Sequence, residues 1–273
     1  MRCRLFFFGI LLALAPMLRA QGGPPFITDD PGTVPDRHWE INFGFMADHN
    51  PASASYSLPN LDINYGVGKR TQLKFEIPIA ASTDEHNTTV AGPGDSLIGI
   101  KRRLWEYHSS GERPSDENLL FSLGTYPQVQ LSNPTRSVRR GVVDPGPQYY
   151  LPLEATAKIG WLALNGELGR WIGNAHVPDR WARGIVAGHS FSDAFELYAE
   201  LYDLQDIDHN PGETPGREFT LDAGGRRSFD RKGKYRLLFM GGRSIQAVSR
   251  QNHEPSWIAY LGVQVHLGAE ADE

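Results

Sequence analysis

The sequence predicts an all-β chain: a closed, antiparallel, up-and-down transmembrane β-barrel of about twelve strands. Three observations predict it. Apolar and polar residues alternate with period two in run after run. The connections between runs are short and long in turn, the pattern of a barrel with tight turns at one end and long loops at the other. All six tryptophans fall near run ends, where a ring can rest in hydrocarbon while its N–H meets water.

Composition narrows the classes. Among 273 residues, 40% are hydrophobic and 22% charged, and past the first twenty no apolar run approaches the ~18–20 residues of a spanning helix. Disorder is excluded by 6 Trp, 10 Tyr and 13 Phe. The 29 glycines and 19 prolines point to many turns and few long helices.

Residues 1–20 read as a secretory signal peptide: basic Arg2 and Arg4, an apolar stretch from Leu5 to Leu14, and Arg19-Ala20 before Gln21. The only cysteine, Cys3, lies inside this segment, too early to carry a lipoprotein's lipid. The exported chain therefore has no disulfide, thiolate nucleophile or cysteine metal site. The formal net charge is −5, and losing Arg2, Arg4 and Arg19 makes the mature chain more acidic still. Nucleic acid is not an expected partner.

Residues 21–37, rich in Pro and Gly, precede the first strand and are either a free leader or a plug folded into the lumen. Residues 38–267 form the barrel. Its runs begin near positions 38, 57, 71, 95, 118, 148, 161, 180, 195, 217, 235 and 256. In the first, Trp39, Ile41, Phe43 and Phe45 oppose Glu40, Asn42 and Gly44; in the last, Trp257, Ala259, Leu261, Val263, Val265 and Leu267 oppose Ile258, Tyr260, Gly262, Gln264 and His266. The runs near 180 and 235 could turn either face outward, and Arg102 interrupts an apolar row. One link, Glu106–Glu117, is long where a short turn is due. An acidic tail, 268–273, follows the last strand.

The polar rows define the expected lumen: Glu40, Asp62, Asn64, Lys74, Glu76, Lys101, Arg103, Glu154, Lys158, Asn165, Glu167, Glu196, Glu200, Glu218, Asp222 and Gln264. Acidic residues outnumber basic ones, so the passage should favour cations or neutral solutes over anions. Trp39, Trp105, Trp161, Trp171, Trp181 and Trp257 are the expected membrane-interface aromatics. In a soluble antiparallel sandwich the same charges would be the solvated outside, so alternation alone does not name a membrane. In lipid the sheet must close, because hydrocarbon offers no partner to an edge strand's N–H and C=O groups.

The residues point to neither metal, cofactor nor catalysis. Asp206-x-Asp208-x-Asn210 lacks the glycine and the terminal Glu of a calcium loop. Arg136, Arg139 and Arg140 form a basic loop cluster. His189 and Ser190 are adjacent, which on a strand sends them to opposite faces, and Gly94-x-Ser96 lacks G-x-S-x-G spacing.

The opening Pro24-Pro25-Phe26-Ile27-Thr28-Asp29-Asp30-Pro31, followed by His38-Trp39-Glu40, resembles the start of bacterial outer-membrane proteins catalogued as meta-pathway phenol-degradation proteins and often labelled transporters. Asn60–Gly68, Gly94-Asp95 with Lys101, Tyr126-Pro127, and Leu197–Leu201 with Glu200 fit the same group, over roughly Pro24 to Leu267. The resemblance implies a location in the outer membrane of a Gram-negative-type cell, outer-membrane lipid around the wall, and passage of a small aromatic or hydrophobic solute. The chain departs from common barrel practice in ending on acidic residues after Leu267 rather than on an aromatic one. Two other roles stay open: a non-transporting structural or interaction barrel, and a soluble periplasmic β-sandwich that binds ligand between its sheets.

Overall fold

The structure is a computed structural model that describes residues 23–49, 53–84, 86–109, 118–132, 135–207, 215–230, 233–248 and 256–268. The signal peptide, most of the acidic tail and the Asp208–Asn210 part of the acidic loop lie outside the described residues. In chain order the elements are β1 (Trp39–His49), β2 (Ala54–Val67), β3 (Thr71–Thr83), β4 (Thr89–Pro93), β5 (Ser96–His108), β6 (Leu119–Thr125), β7 (Gln128–Leu131), α1 (Thr135–Arg139), β8 (Gln148–Ile159), β9 (Leu162–Ile172), β10 (Arg180–Ser192), β11 (Phe195–Asp206), β12 (Arg217–Ser228), β13 (Tyr235–Val248) and β14 (Trp257–Leu267).

These segments build a closed, antiparallel ring of twelve staves. β4 carries on the stave of β5: both pair with β3, β4 beside Ile79–Thr83 and β5 beside Thr71–Glu76, with Gly94-Asp95 between them. β6 and β7 share another stave, since both lie between β5 and β8. That stave breaks at Pro127, which has no N–H for the ladder, although its carbonyl still accepts the Ile100 N–H at 3.0 Å. The first and last strands close the ring, from Trp39↔Leu267 to His49↔Trp257, in unbroken register. No edge strand remains for hydrocarbon to strand unpaired.

Each stave contains a run that the sequence places, because the alternation that marks a run is the alternation that a ladder requires, but β2 begins at Ala54, ahead of the run near 57, and the β4–β5 stave at Thr89, ahead of the run near 95. The link after β5 is shorter than the sequence suggests. The ladder continues through Tyr107 and His108, and Ser109 N–H donates to Asn118 O at 2.9 Å. Tight connections gather at the end that carries Trp39, called here the turn end. Gly160, at φ 60° in the two-residue turn between β8 and β9, meets nothing within 4 Å of a built Cβ, so conformation alone demands glycine there.

Burial is inverted relative to a soluble protein. Inward Glu154 and Glu200 are fully buried, whereas outward Ile185 is 60% exposed and Leu153, Leu261 and Phe43 are about half exposed. No second sheet covers the outward row, because one sheet closes on itself. The soluble sandwich is thereby overturned. No described helix is long and apolar enough to cross a membrane, and strands of 11–14 residues reach across a hydrocarbon core when tilted.

The two ambiguous runs are settled by position. β10 turns Ala182, Gly184, Val186, Gly188 and Ser190 inward and Ile185 and Phe191 outward; β13 turns Arg236, Leu238 and Met240 inward. Arg102 does point outward, near the turn end, where its Nη1 donates to Thr71 Oγ1 at 2.6 Å. A barrel closed in this way should run faster on a gel unheated than boiled and fractionate with outer membranes; a single heat-independent band from soluble extract would contradict the ring.

Candidate functional site: the lumen and the segment that crosses it

The expected lumen residues all lie on the inner wall. Glu40, Asp62, Asn64, Lys101, Arg103, Glu154, Asn165, Glu167, Glu200, Asp222 and Gln264 are buried there. Lys74, Glu76, Lys158, Glu196 and Glu218 share the same rows and are partly buried. Burial so complete requires something inside the ring, and residues 23–37 supply it.

This segment cannot be a strand: Pro24, Pro25, Pro31 and Pro35 remove ladder donors, and the remaining backbone N–H groups need other acceptors. Inner-wall carboxylates provide them. Glu200 accepts Ile27 N–H at 3.1 Å and Thr28 N–H at 2.6 Å. Glu167 accepts Asp29 N–H at 3.0 Å and the Tyr150 hydroxyl. Gln72 Oε1 accepts Val34 N–H at 2.9 Å. Cations take the segment's acceptors: Lys101 Nζ lies 2.6 Å from Asp29 Oδ1, Arg103 Nε donates to Pro31 O, and Arg226 donates to the carbonyls of Gly23 and Pro24.

One apolar anchor joins these polar ties. The Phe26 ring sits among Val186, Tyr198, Leu238, Met240, Ile258 and Tyr260, edge-on to Tyr198 with centroids 5.6 Å apart. This pocket explains why β10 and β13 look ambiguous in sequence: part of their inner face is apolar because it receives Phe26. Small residues are required on β10 for a second reason. A Cβ on Gly184 would stand 1.8 Å from Thr28 Oγ1, so any side chain there collides with the segment.

Sequence reasoning missed Arg226, Arg236 and Gln72 as lumen residues. Arg226 was discoverable, because it continues the inward row of Thr220, Asp222 and Gly224. Asp29 and Asp30, outside any strand, carried no periodic signal.

Two carboxylate pairs flank the segment. Glu154 stands directly opposite Glu167 across β8 and β9, and Glu200 opposite Asp222 across β11 and β12. In each pair one member holds a segment N–H; across from it, both oxygens of Glu154 are buried without a hydrogen-bond partner, and Asp222 is buried against the Glu200 carboxylate. Such groups strain the wall. On the β1–β3 side the wall is tied by side chains: Asp62 accepts from Asn42 (3.1 Å) and Asn64 (3.0 Å) and pairs with Lys74 at 3.5 Å, and Lys74 and Lys101 both approach the buried Tyr126 ring.

Toward the loop end the lumen widens into an open cavity of about 370 Å³, lined by Glu76, Pro78, Asp95, Gln130, Val142 and Asp144. Glu76 lies four residues along β3 from Gln72, which touches the segment, or roughly 13 Å at strand rise. The basic cluster Arg136, Arg139 and Arg140 is exposed, on and just after α1, beside this cavity's loop.

The tryptophans divide five to one. Trp39, Trp105 and Trp161 face outward at the turn end, and Trp181 and Trp257 outward at the loop end, forming two levels. Trp171 does not join them. It lies on the inward row of β9 and stacks on Tyr150, centroids 4.5 Å apart, beside Ala182 and Tyr202. Its place near a strand end suggested an interface role, but strand parity, not position along the strand, decides the face. His189 and Ser190 do part: His189 faces out and meets Trp161 O at 2.9 Å, while Ser190 faces in, 3.4 Å from Glu196.

No protein-family model matches the sequence, and no curated protein does. Solved structures match the fold. An outer membrane channel from Pseudomonas putida F1 superposes with a TM-score of 0.67 at 12% identity, covering 87% of this chain and 98% of that one. The NanC porin gives 0.57 at 5% identity over 83% of this chain and 100% of that one, and the KdgM porin 0.51 at 8% over 82% and 98%. The fold is that of outer-membrane channels and porins. Identities this low speak for fold alone.

Proposed function

We propose that the protein is a passive outer-membrane channel whose N-terminal segment occludes the lumen at rest, the long loops facing outward from the cell. It performs no catalysis. The observation that carries this reading is how the segment is held. Among the described residues, the backbone from Pro24 to Asp36 makes no backbone–backbone bond to a strand; its ties to the wall are side-chain contacts. Side-chain contacts can be released without opening the ladder that keeps the ring closed. A structural barrel needs no polar lumen and no separable filling.

The solute is a small molecule. Its class is aromatic or hydrophobic by the resemblance to the phenol-degradation group, and the tyrosines facing the lumen, such as Tyr126, Tyr198 and Tyr260, give ring faces along the path. Glu76, Asp95 and Asp144 at the cavity make its mouth acidic.

Two measurements test the reading. In planar bilayers under a salt gradient, the reversal potential should show cation preference, and clear anion preference would contradict the charge assignment. In liposome swelling, phenol-sized neutral solutes should enter faster than disaccharides. No entry of either, with the N-terminal segment removed, would favour the non-transporting barrel.

A further inference from the structure

The outer wall carries a feature that solute passage does not use. On the loop half of the wall, among the described strand residues, arginines face outward only on one sector: Arg170 on β9, Arg183 on β10, Arg217 on β12 and Arg243 on β13. Two of them share one carboxylate. Asp203 on β11, between them, receives Arg183 Nη1 on Oδ2 and Arg217 Nε on Oδ1, each at 2.7 Å. Asp203 is buried although it points out of the barrel, because the guanidinium groups cover it. Their own side chains stay 44% and 42% exposed.

One carboxylate against two guanidinium groups leaves the clamp with a net positive charge. It also fixes the two cations on staves two strand spacings apart, roughly 9.5 Å. Arg183 Nη2 and both terminal nitrogens of Arg217 make no hydrogen bond to the described residues, which leaves these N–H donors to a ligand.

Position supplies the second half of the argument. Trp181 on β10 places the clamp at the apolar–polar boundary of the loop end. Two residues toward the turn end on the same face, Ile185 pairs with Leu201, and Leu201 with Leu221, all exposed. A ligand that fits has an anionic head at the boundary and hydrocarbon chains running down an apolar wall. At headgroup depth the strong anion is phosphate, which the guanidinium fork grips through paired N–H donors.

We propose that the Arg183–Asp203–Arg217 clamp, with the Ile185–Leu201–Leu221 face below it, is a binding site for a phosphorylated membrane lipid. The site is independent of whether the lumen conducts. It gives the barrel a preferred lipid-bound sector, as an annular lipid would that stays with the protein on purification.

Native mass spectrometry of the full barrel in neutral detergent tests this with three probes: a phosphorylated lipid A, the same lipid dephosphorylated, and inorganic phosphate. The phosphorylated lipid should bind at least about tenfold more tightly than the dephosphorylated one, as one lost charge-assisted contact requires. The double variant Arg183→Gln/Arg217→Gln should lose that difference, while Arg102→Gln/Arg227→Gln, which removes outward arginines at the turn end, should keep it. Heat-modifiable migration checks each fold; if the double variant does not fold, Arg217→Gln alone carries the same reading. Equal binding of both lipids, wild-type binding by the clamp variant, or displacement of the lipid by equimolar inorganic phosphate would overturn the proposal.

Discussion

Deleting residues 23–37 should turn a quiet barrel into a steadily conducting one. The ring does not need the segment: closure begins at Trp39↔Leu267, beyond the deletion, and every stave keeps both neighbours. The lumen does need it to stay filled. Twelve staves lie between the eight-stranded barrel that side chains fill and the sixteen-stranded porin that holds a water channel. Here the difference in filling is made by Phe26, Thr28, Asp29, Asp30 and Val34. Single-channel recording of the truncated and full chains, both shown to be heat-modifiable, checks it. If the truncated barrel stays silent, wall side chains or loops close the lumen, and the segment is only structural filling.

Glu200→Ala should loosen the same segment without removing it. Glu200 takes two backbone N–H groups of the segment, and a hydrogen bond to a charged group is worth about 1.5–3 kcal/mol. Losing both weakens the docked state by about 3 kcal/mol or more, so the undocked fraction should rise about a hundredfold. The wall responds in the opposite sense. Asp222, directly across from Glu200, is relieved of a buried carboxylate neighbour. The variant should therefore open more often while unfolding at no lower a temperature. Lower unfolding temperature with unchanged openings would mean that Glu200 serves the wall and not the segment.

How much of this was legible depended on whether the signal was local. Strand positions were legible because period two is written into each run, as in Leu73, Phe75 and Ile77 against Lys74 and Glu76. The lumen row followed by parity, and extending parity one step would have added Arg226. The faces of β10 and β13 were not legible, because Val186, Leu238 and Met240 are apolar residues turned inward to receive Phe26, a partner more than a hundred residues away. Trp171 misled for a related reason. A tryptophan near a strand end suits a membrane interface, but this one stacks on Tyr150 inside the ring, a contact that forms only when β8 and β9 pair.

The sequence by itself determined the twelve staves, their order of short and long connections, and which residues share a face, since each is a property of neighbours along the chain. Only the tertiary structure decided that the apolar face looks outward, that the proline-rich segment crosses the lumen, and that Arg183 and Arg217 meet over one carboxylate. Alternation is the same for a sandwich and a barrel, and a segment without hydrogen-bond periodicity takes its path from whatever wall surrounds it.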